Sequence, residues 1–156
     1  MATSKRFDLA IDKLYKAFHA DELNPMCCKQ CAVGNICDNT DSWRLLTDSH
    51  GSTHLNYIGW VNEAYGKKIN GFSPSELLKI EAVFLQACGY SLPLSHRSIK
   101  PQNPTSKETL FDGLCAVVDF LCVLEGIPNL MDCGKLFDFE TPEMKSRSKS
   151  YILSES

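Results

Sequence analysis

The segment 107–125 is apolar on two adjacent sides of a predicted helix, and this feature constrains the fold most. Its two stripes contain, in order, Leu110, Leu114, Val117, Leu121 and Leu124, and then Phe111, Cys115, Val118 and Cys122. An apolar surface of that width predicts a central helix that several neighbours contact. Thr105 and Glu108 have the spacing of a capping box at its start. Gly126 and Pro128 predict where the helix ends.

Three other long segments repeat their apolar residues at helical spacing. The first begins after Thr3 or Ser4, either of which can accept a hydrogen bond from a free backbone N–H as the N-cap. The second covers residues 55–65. The third has the clearest start signal in the chain, because Ser73 and Glu76 form a capping box with a proline at the first helical position.

Short helices are also predicted over residues 31–36, 42–48 and 129–139. No segment alternates apolar and polar residues as a strand does, so the sequence predicts an all-α fold of about five or six helices. We expect a single helical domain over residues 1–139, with a long loop at 91–104. Residues 140–156 are polar and are predicted to form a flexible C-terminal tail.

The charge balance disfavours one class of partner. The chain carries 16 basic and 19 acidic residues, and its formal net charge is −3. Nucleic-acid-binding proteins need a basic face, so nucleic acid is disfavoured. Neither a signal peptide nor an apolar run long enough to cross a membrane is predicted. We therefore expect a cytoplasmic protein whose eight cysteines stay reduced.

Four of these eight cysteines lie within residues 26–37, in the sequence MCCKQCAVGNIC. Cys28 and Cys31 have the C-x2-C spacing that lets two thiolates bind one ion. Histidines with the spacing H-x3-H follow, which is a looser version of the zinc-finger order. The spacing predicts a structural zinc site. Its candidate ligands are Cys28, Cys31, Cys37, His50, His54 and Cys88.

Three alternatives to zinc stay open for this cluster. Cys28 and Cys31 would share one face of a short helix, where free thiols are often inert core residues without metal. A C-x2-C pair at a helix start can instead be a thiol-redox pair with a lowered thiol pKa, although no βαβ pattern surrounds it here. A fourth thiolate from Cys88 or Cys133 could complete an iron–sulfur cluster, although the spacing differs from the plant-type order.

The other polar and aromatic residues predict no chemistry by themselves. The acidic residues predicted to lie on helix surfaces or at caps are Glu63, Glu76 and Glu81. The aromatic residues predicted to lie in the core or at its rim are Trp43, Tyr57 and Trp60. Cys115 and Cys122 are predicted core thiols. No catalytic or phosphate-binding motif is present, so no catalytic residue is predicted and enzymatic activity is left open.

Several phrases of the sequence resemble a group of short bacterial proteins, among them CKQCAVGNI, LNYIGWV and GFSPSELLKIEAVFLQACGY. Members of that group commonly carry the name of the F component of the sodium-translocating NADH-quinone reductase, and the resemblance covers residues 5–138. That name implies electron transfer linked to respiratory NADH-quinone reduction. The F component itself resembles a membrane-anchored ferredoxin fused to a flavin reductase, and these residues have no counterpart of either module. We interpret the name as mis-transferred to the short proteins, and it assigns no residue here.

The sequence as a whole predicts a small helical protein with a Cys/His metal site that acts as a binding or regulatory module for a protein partner. The alternative is an electron-transfer or thiol-redox accessory protein. Neither the partner nor the oligomeric state follows from the sequence.

Overall fold

The structure is a computed structural model that describes residues 4–92 and 99–127. Its helices are α1 (Lys5–His19), α2 (Ala32–Ile36), a 3-10 helix (Ser42–Leu46), α3 (Tyr57–Ala64), α4 (Pro74–Cys88) and α5 (Lys107–Glu125). The described ranges contain no strand, only one isolated bridge between Ile69 and Phe72. The predicted all-α fold is confirmed, and the described helices form a single domain around one core.

Helices α4 and α5 form the most extensive contact in the described chain. The predicted central helix is confirmed, because α5 buries residues from both of its apolar stripes. Gly113 lets the two helices approach closely: a Cβ there would lie 2.6 Å from Cys88 Sγ and 2.7 Å from Phe84 Cδ1. A larger residue at 113 would therefore force α5 away from α4.

The helix ends follow the predicted capping signals with one exception. Ser73 accepts a hydrogen bond from the Glu76 N–H, and the Glu76 carboxylate accepts one from the Ser73 N–H, which confirms the capping box. The predicted cap Thr105 is wrong by one residue. Ser106 is the N-cap of α5, because its backbone is extended and its hydroxyl accepts a hydrogen bond from the Thr109 N–H.

Helix α1 packs against α2 and α5 through the predicted apolar stripe, with Ser4 as its N-cap. Arg6 then ties α1 to the start of α4. Its guanidinium donates to the Gly71 carbonyl at 2.9 Å and to Glu76 Oε1 at 2.8 Å. The Arg6 Nε atom also lies 3.8 Å from Glu125 at the end of α5, so one side chain joins three elements.

Three predictions concern residues that lie outside the described ranges: the short helix at 129–139, the domain boundary at 139 and the tail 140–156. The predicted loop at 91–104 is described only in part. At residues 99–104 it contains no helix, and the Ser91 N–H donates to the Ile99 carbonyl at 3.0 Å. Among the described helices, none combines the length and the apolar character that crossing a membrane requires.

Candidate metal centre

The cysteine-rich turn is held rigidly at the start of α2. Cys31 is the N-cap of this helix, and its Sγ atom accepts a hydrogen bond from the Gly34 N–H at 3.3 Å. The buried Asn35 amide donates to the carbonyls of Gln30 at 3.0 Å and Cys31 at 3.1 Å. These bonds fix the direction of the Cys31 side chain, because both the turn and the first helical residues are restrained.

Gly34 and Trp43 hold the same turn from two other sides. A Cβ on Gly34 would lie 2.3 Å from the Cys28 carbonyl oxygen, so only glycine allows α2 to approach the turn this closely. The Trp43 indole N–H donates to that same carbonyl at 3.0 Å. The Trp43 ring also packs edge-on against the His50 ring, with ring centroids 5.8 Å apart. Trp43 therefore positions the cysteine turn and the histidine together.

His50 lies on the loop between the 3-10 helix and α3, and its ring faces α4. His50 Nε2 is 2.7 Å from Glu81 Oε2. The loop around His50 is closed by the Thr47 hydroxyl, which donates to the His54 carbonyl at 3.0 Å, and by the Asn56 N–H, which donates to the Leu46 carbonyl at 2.9 Å. Glu81 itself is 3% exposed, although it lies on α4 and carries a carboxylate.

Cys31, His50 and Glu81 meet at one point, where Cys31 and Glu81 are buried and His50 is half-buried. One potential ligand atom from each residue lies within 4.8 Å of the other two. In residues 4–92 and 99–127, this is the one group of three or more His, Cys, Asp or Glu side chains with such spacing. The Glu81 Oε1 atom has no hydrogen-bond partner among the described residues, although it is buried. The arrangement offers sulfur, nitrogen and oxygen donors that could hold a metal ion.

Burial sets the protonation of the Cys31 thiol. Removal from water raises its pKa well above the ordinary value, and the Glu81 carboxylate raises it further, against a smaller lowering by the Gly34 N–H. The lowered thiol pKa expected for a redox pair is therefore wrong for Cys31. Five residues of α2 supply a weak helix field, and the loss of hydration outweighs it.

Cys28 lies beside this group without joining it. Its thiol is half buried, and burial is the largest cause that raises its pKa. Arg44 acts in the opposite direction through its charge and a hydrogen bond, while the Glu81 carboxylate adds to the rise. The C-x2-C pair therefore divides into a buried thiol in the group and a half-exposed thiol next to it.

The structure brings together two of the six predicted ligands, Cys31 and His50, and places the others elsewhere. Cys37 follows α2, six residues beyond Cys31, so a rise of about 9 Å separates the two cysteines. Its thiol is near Lys13 and Asp38, and burial raises its pKa to about 12. Cys88 donates to the Thr109 carbonyl of α5. The His54 side chain is exposed.

Glu81 was not among the predicted ligands, and its predicted place on a helix surface is wrong. The sequence does contain a signal for its burial. Glu81 lies four residues after Leu77 and four before Leu85, both of which are buried on α4. A carboxylate inside an apolar stripe needs a partner in the core. Of the other two acidic residues, Glu76 caps α4, and Glu63 accepts a hydrogen bond from the Ser75 N–H at 2.9 Å.

Some of the residues predicted to lie in the core or at its rim are buried, and others are exposed. Trp43 and Cys122 are buried as predicted, and Cys115 is partly buried against the core. Tyr57 and Trp60 are not core residues, since they are 82% and 61% exposed. Cys133 lies outside the described residues.

Comparison with known proteins does not assign the chain to a family. No family model matches the chain, and neither a curated protein nor a solved structure matches it. The resemblance of its phrases to a group of short bacterial proteins therefore stays a prediction.

Proposed function

We propose that this protein is a helical binding module whose helices are fastened together by a structural zinc ion at Cys31, His50 and Glu81. The observation that carries the proposal is the buried Glu81 carboxylate, whose Oε1 atom has no hydrogen-bond partner among the described residues. Leaving a buried polar atom unpaired costs about 1–3 kcal/mol, and more when the group is charged. A cation bound by the carboxylate removes that cost.

The donor set favours zinc over other common ions. Zinc binds thiolate, imidazole and carboxylate together, whereas magnesium and calcium prefer oxygen ligands alone. In a tetrahedral zinc site the ligand atoms lie roughly 3.3–3.8 Å apart. Here they lie within 4.8 Å of one another, and His50 Nε2 is 2.7 Å from Glu81 Oε2. Zinc binding therefore requires that the His50–Glu81 pair separates by about 0.6 Å and that any ligand atoms near the 4.8 Å limit move closer.

Burial supports a structural role for the ion. A catalytic zinc keeps an open position for water or substrate, whereas a structural one is closed by protein ligands. Cys31 and Glu81 are buried, and the His50 side chain is 13% exposed. None of the three lines the surface cleft that Trp60 of α3 forms with α4. The site joins the turn before α2, the loop before α3 and the middle of α4. Bound metal then adds directly to folding stability.

Cys28 is our candidate for the fourth ligand. Its thiol lies near enough to Glu81 for the carboxylate to raise its pKa, and it is half buried at the edge of the group. The C-x2-C spacing with Cys31 is the one that closed zinc sites use for two thiolates. A rotation of the Cys28 side chain toward Cys31 would complete a four-coordinate site.

A metal-free alternative uses the same three residues. His50 and Glu81 would then form a hydrogen-bonded pair beside a neutral Cys31 thiol. Even a charged buried pair contributes little net stability. A hydrogen bond between the Cys31 thiol and the Glu81 side chain supports this alternative, whereas the Oε1 atom without a partner among the described residues favours the metal. The two alternatives differ in one measurable respect, because only the metal site makes stability depend on a chelator.

Thermal unfolding of the full chain with zinc and with excess chelator tests the proposal. Free zinc at a thousandfold excess over its Kd stabilises a folded protein by about 4 kcal/mol. We expect zinc to raise the Tm of the wild type and of His54→Gln, whose side chain is exposed, but not that of His50→Gln. Equal Tm values for the wild type in zinc and in chelator would refute the metal site.

A further inference from the structure

Helix α3 presents an apolar surface to solvent. We call the side chains of Tyr57, Ile58, Trp60 and Tyr65 the α3 face. Tyr57 is 82%, Trp60 61% and Tyr65 79% exposed, and Gly59 is the one buried residue of this helix. Exposed aromatic residues in such a cluster mark interaction sites, whereas single exposed apolar residues are ordinary.

The exposure of the α3 face is built into the fold. Gly59 presses against the 3-10 helix so closely that a Cβ would lie 2.3 Å from the Leu46 carbonyl oxygen. Asn56 fixes the same contact, because its side chain accepts a hydrogen bond from the Gly59 N–H at 2.8 Å and caps the helix. With Gly59 held inward, Tyr57 lies on the opposite side of the helix, and Trp60 is turned about 100° away from Gly59.

A cleft of about 370 Å³ lies beside Trp60, between α3 and α4. Leu55, Trp60 and Leu78 supply apolar walls, and His54 and Lys79 supply polar groups. Its size is near the lower end of the roughly 300–1,000 Å³ that ligand clefts have. The cleft therefore has room for a large apolar side chain, next to an aromatic residue of the type that dominates binding energy at protein interfaces.

The charge around this surface is positive. Lys79 lines the cleft, and Lys67 and Lys68 lie three and four residues beyond the last residue of α3. All three are exposed, and none forms an ion pair with a described residue. Glu63, the acidic residue of α3, accepts a hydrogen bond from Ser75, which lines the cleft, so one negative charge lies near these three positive ones. Because the whole chain has a net charge of −3, this local excess of lysine selects for an acidic partner.

We propose that the α3 face and its cleft bind a peptide segment of another protein, one that presents a large apolar side chain flanked by Asp or Glu. A second copy of this chain fits less well, because a two-fold contact through α3 would bring the same lysines together. A flat bilayer would leave the cleft unfilled. The inference specifies the binding role of the proposed function and does not require zinc at the buried site.

Selection from a displayed library of random twelve-residue peptides tests the inference. The full chain is immobilised, and peptides that also bind the Trp60→Ala chain are removed. We expect the remaining peptides to contain an aromatic or aliphatic residue with acidic neighbours. When one selected peptide is synthesised, Trp60→Ala should weaken its binding about thirtyfold, as the loss of a central aromatic anchor does. Lys79→Glu should weaken binding about fivefold, and added salt should reduce the wild-type affinity.

The matched controls are Val123→Ala, an exposed apolar residue of α5, and Lys5→Glu, an exposed lysine of α1, and both should bind like the wild type. Failure to enrich acidic peptides would overturn the inference. The inference would also be overturned if the wild type dimerises, or binds anionic phosphatidylserine vesicles, and Trp60→Ala does not. Each measurement is repeated with zinc and with chelator. If no peptide binds either with zinc or with chelator, the docking surface is refuted and the zinc site is not. If the Tm is the same with zinc and with chelator, the zinc site is refuted and the docking surface is not.

Discussion

His50 Nε2 lies 2.7 Å from Glu81 Oε2, and this contact joins the loop before α3 to the middle of α4 across 31 residues of sequence. Cys31 comes to the same point from the turn before α2. Three segments that are far apart in the chain therefore meet at this cluster. Trp43 supports it from outside, because its indole contacts both the cysteine turn and the His50 ring.

Replacing Cys28 by Ser tests whether the site has a second thiolate. Even outer-shell partners of a metal site contribute 10–100-fold to affinity, so loss of a direct ligand should weaken zinc binding by more than about tenfold. Cys27→Ser is the matched control, since Cys27 is the adjacent half-buried cysteine and is expected to keep wild-type affinity. Competition against a chromogenic chelator measures the zinc affinity of both variants. Equal affinities for the two variants would remove Cys28 from the ligand set.

Zinc affinity should rise with pH. Burial, together with the Glu81 carboxylate, raises the pKa of the Cys31 thiol, so the free protein holds this proton throughout the neutral range. Zinc must displace that proton, so Cys31 alone should increase the apparent affinity about tenfold for each pH unit between pH 6 and 8, and a second thiolate from Cys28, whose pKa is also raised, should add another factor of about ten. Titration in two buffers of different ionisation enthalpy counts the released protons. A pH-independent affinity would mean that Cys31 is not a ligand.

The ionised Glu76 carboxylate should stabilise the folded state at neutral pH and lose this effect in acid. Burial raises the pKa of its carboxyl, but hydrogen bonds from Ser73 and Arg6 and the Arg6 charge outweigh it, so the net pKa is lowered. A lowered folded pKa gives stability that is present above the ordinary value of 4.5 and lost as pH falls through the folded value. We expect Glu76→Gln to cost about 1 kcal/mol at pH 7.

The difference between Glu76→Gln and the wild type should disappear at low pH, where the wild-type carboxyl is protonated. Glu108→Gln is the control, because Glu108 is an exposed acidic residue in the first turn of α5. Urea unfolding at several pH values measures both variants. A constant gap between Glu76→Gln and the wild type across the pH range would contradict the assigned ion pair.

The helices were predictable because their signals are local. The Ser73–Glu76 capping box, the helix end at Gly126 and the double stripe of α5 each lie within a few turns of chain. The outward face of α3 was not predictable in this way. Its apolar residues have the spacing of a buried helix, and only the close contact of Gly59 with Leu46 decides which side is buried.

The metal site was predictable only in part. Cys31 and His50 belong to residue types and spacings that suggest ligands, but the same spacings also selected Cys37 and His54. The third residue, Glu81, has no spacing relation to either, because it meets them through the packing of α4 against α2 and the loop. Its position within the apolar stripe of α4 was the available signal, and that signal indicates burial without naming a partner.

Metal content of the untagged full chain tests the central claim most directly. Cys31→Ala and Cys37→Ala each remove one buried sulfur, so their packing losses are similar, but only Cys31 belongs to the cluster. Mass-spectrometric analysis should find one zinc ion per chain in the wild type and in Cys37→Ala, and none in Cys31→Ala. A metal-free wild type, or zinc retained equally in Cys31→Ala, would contradict the account.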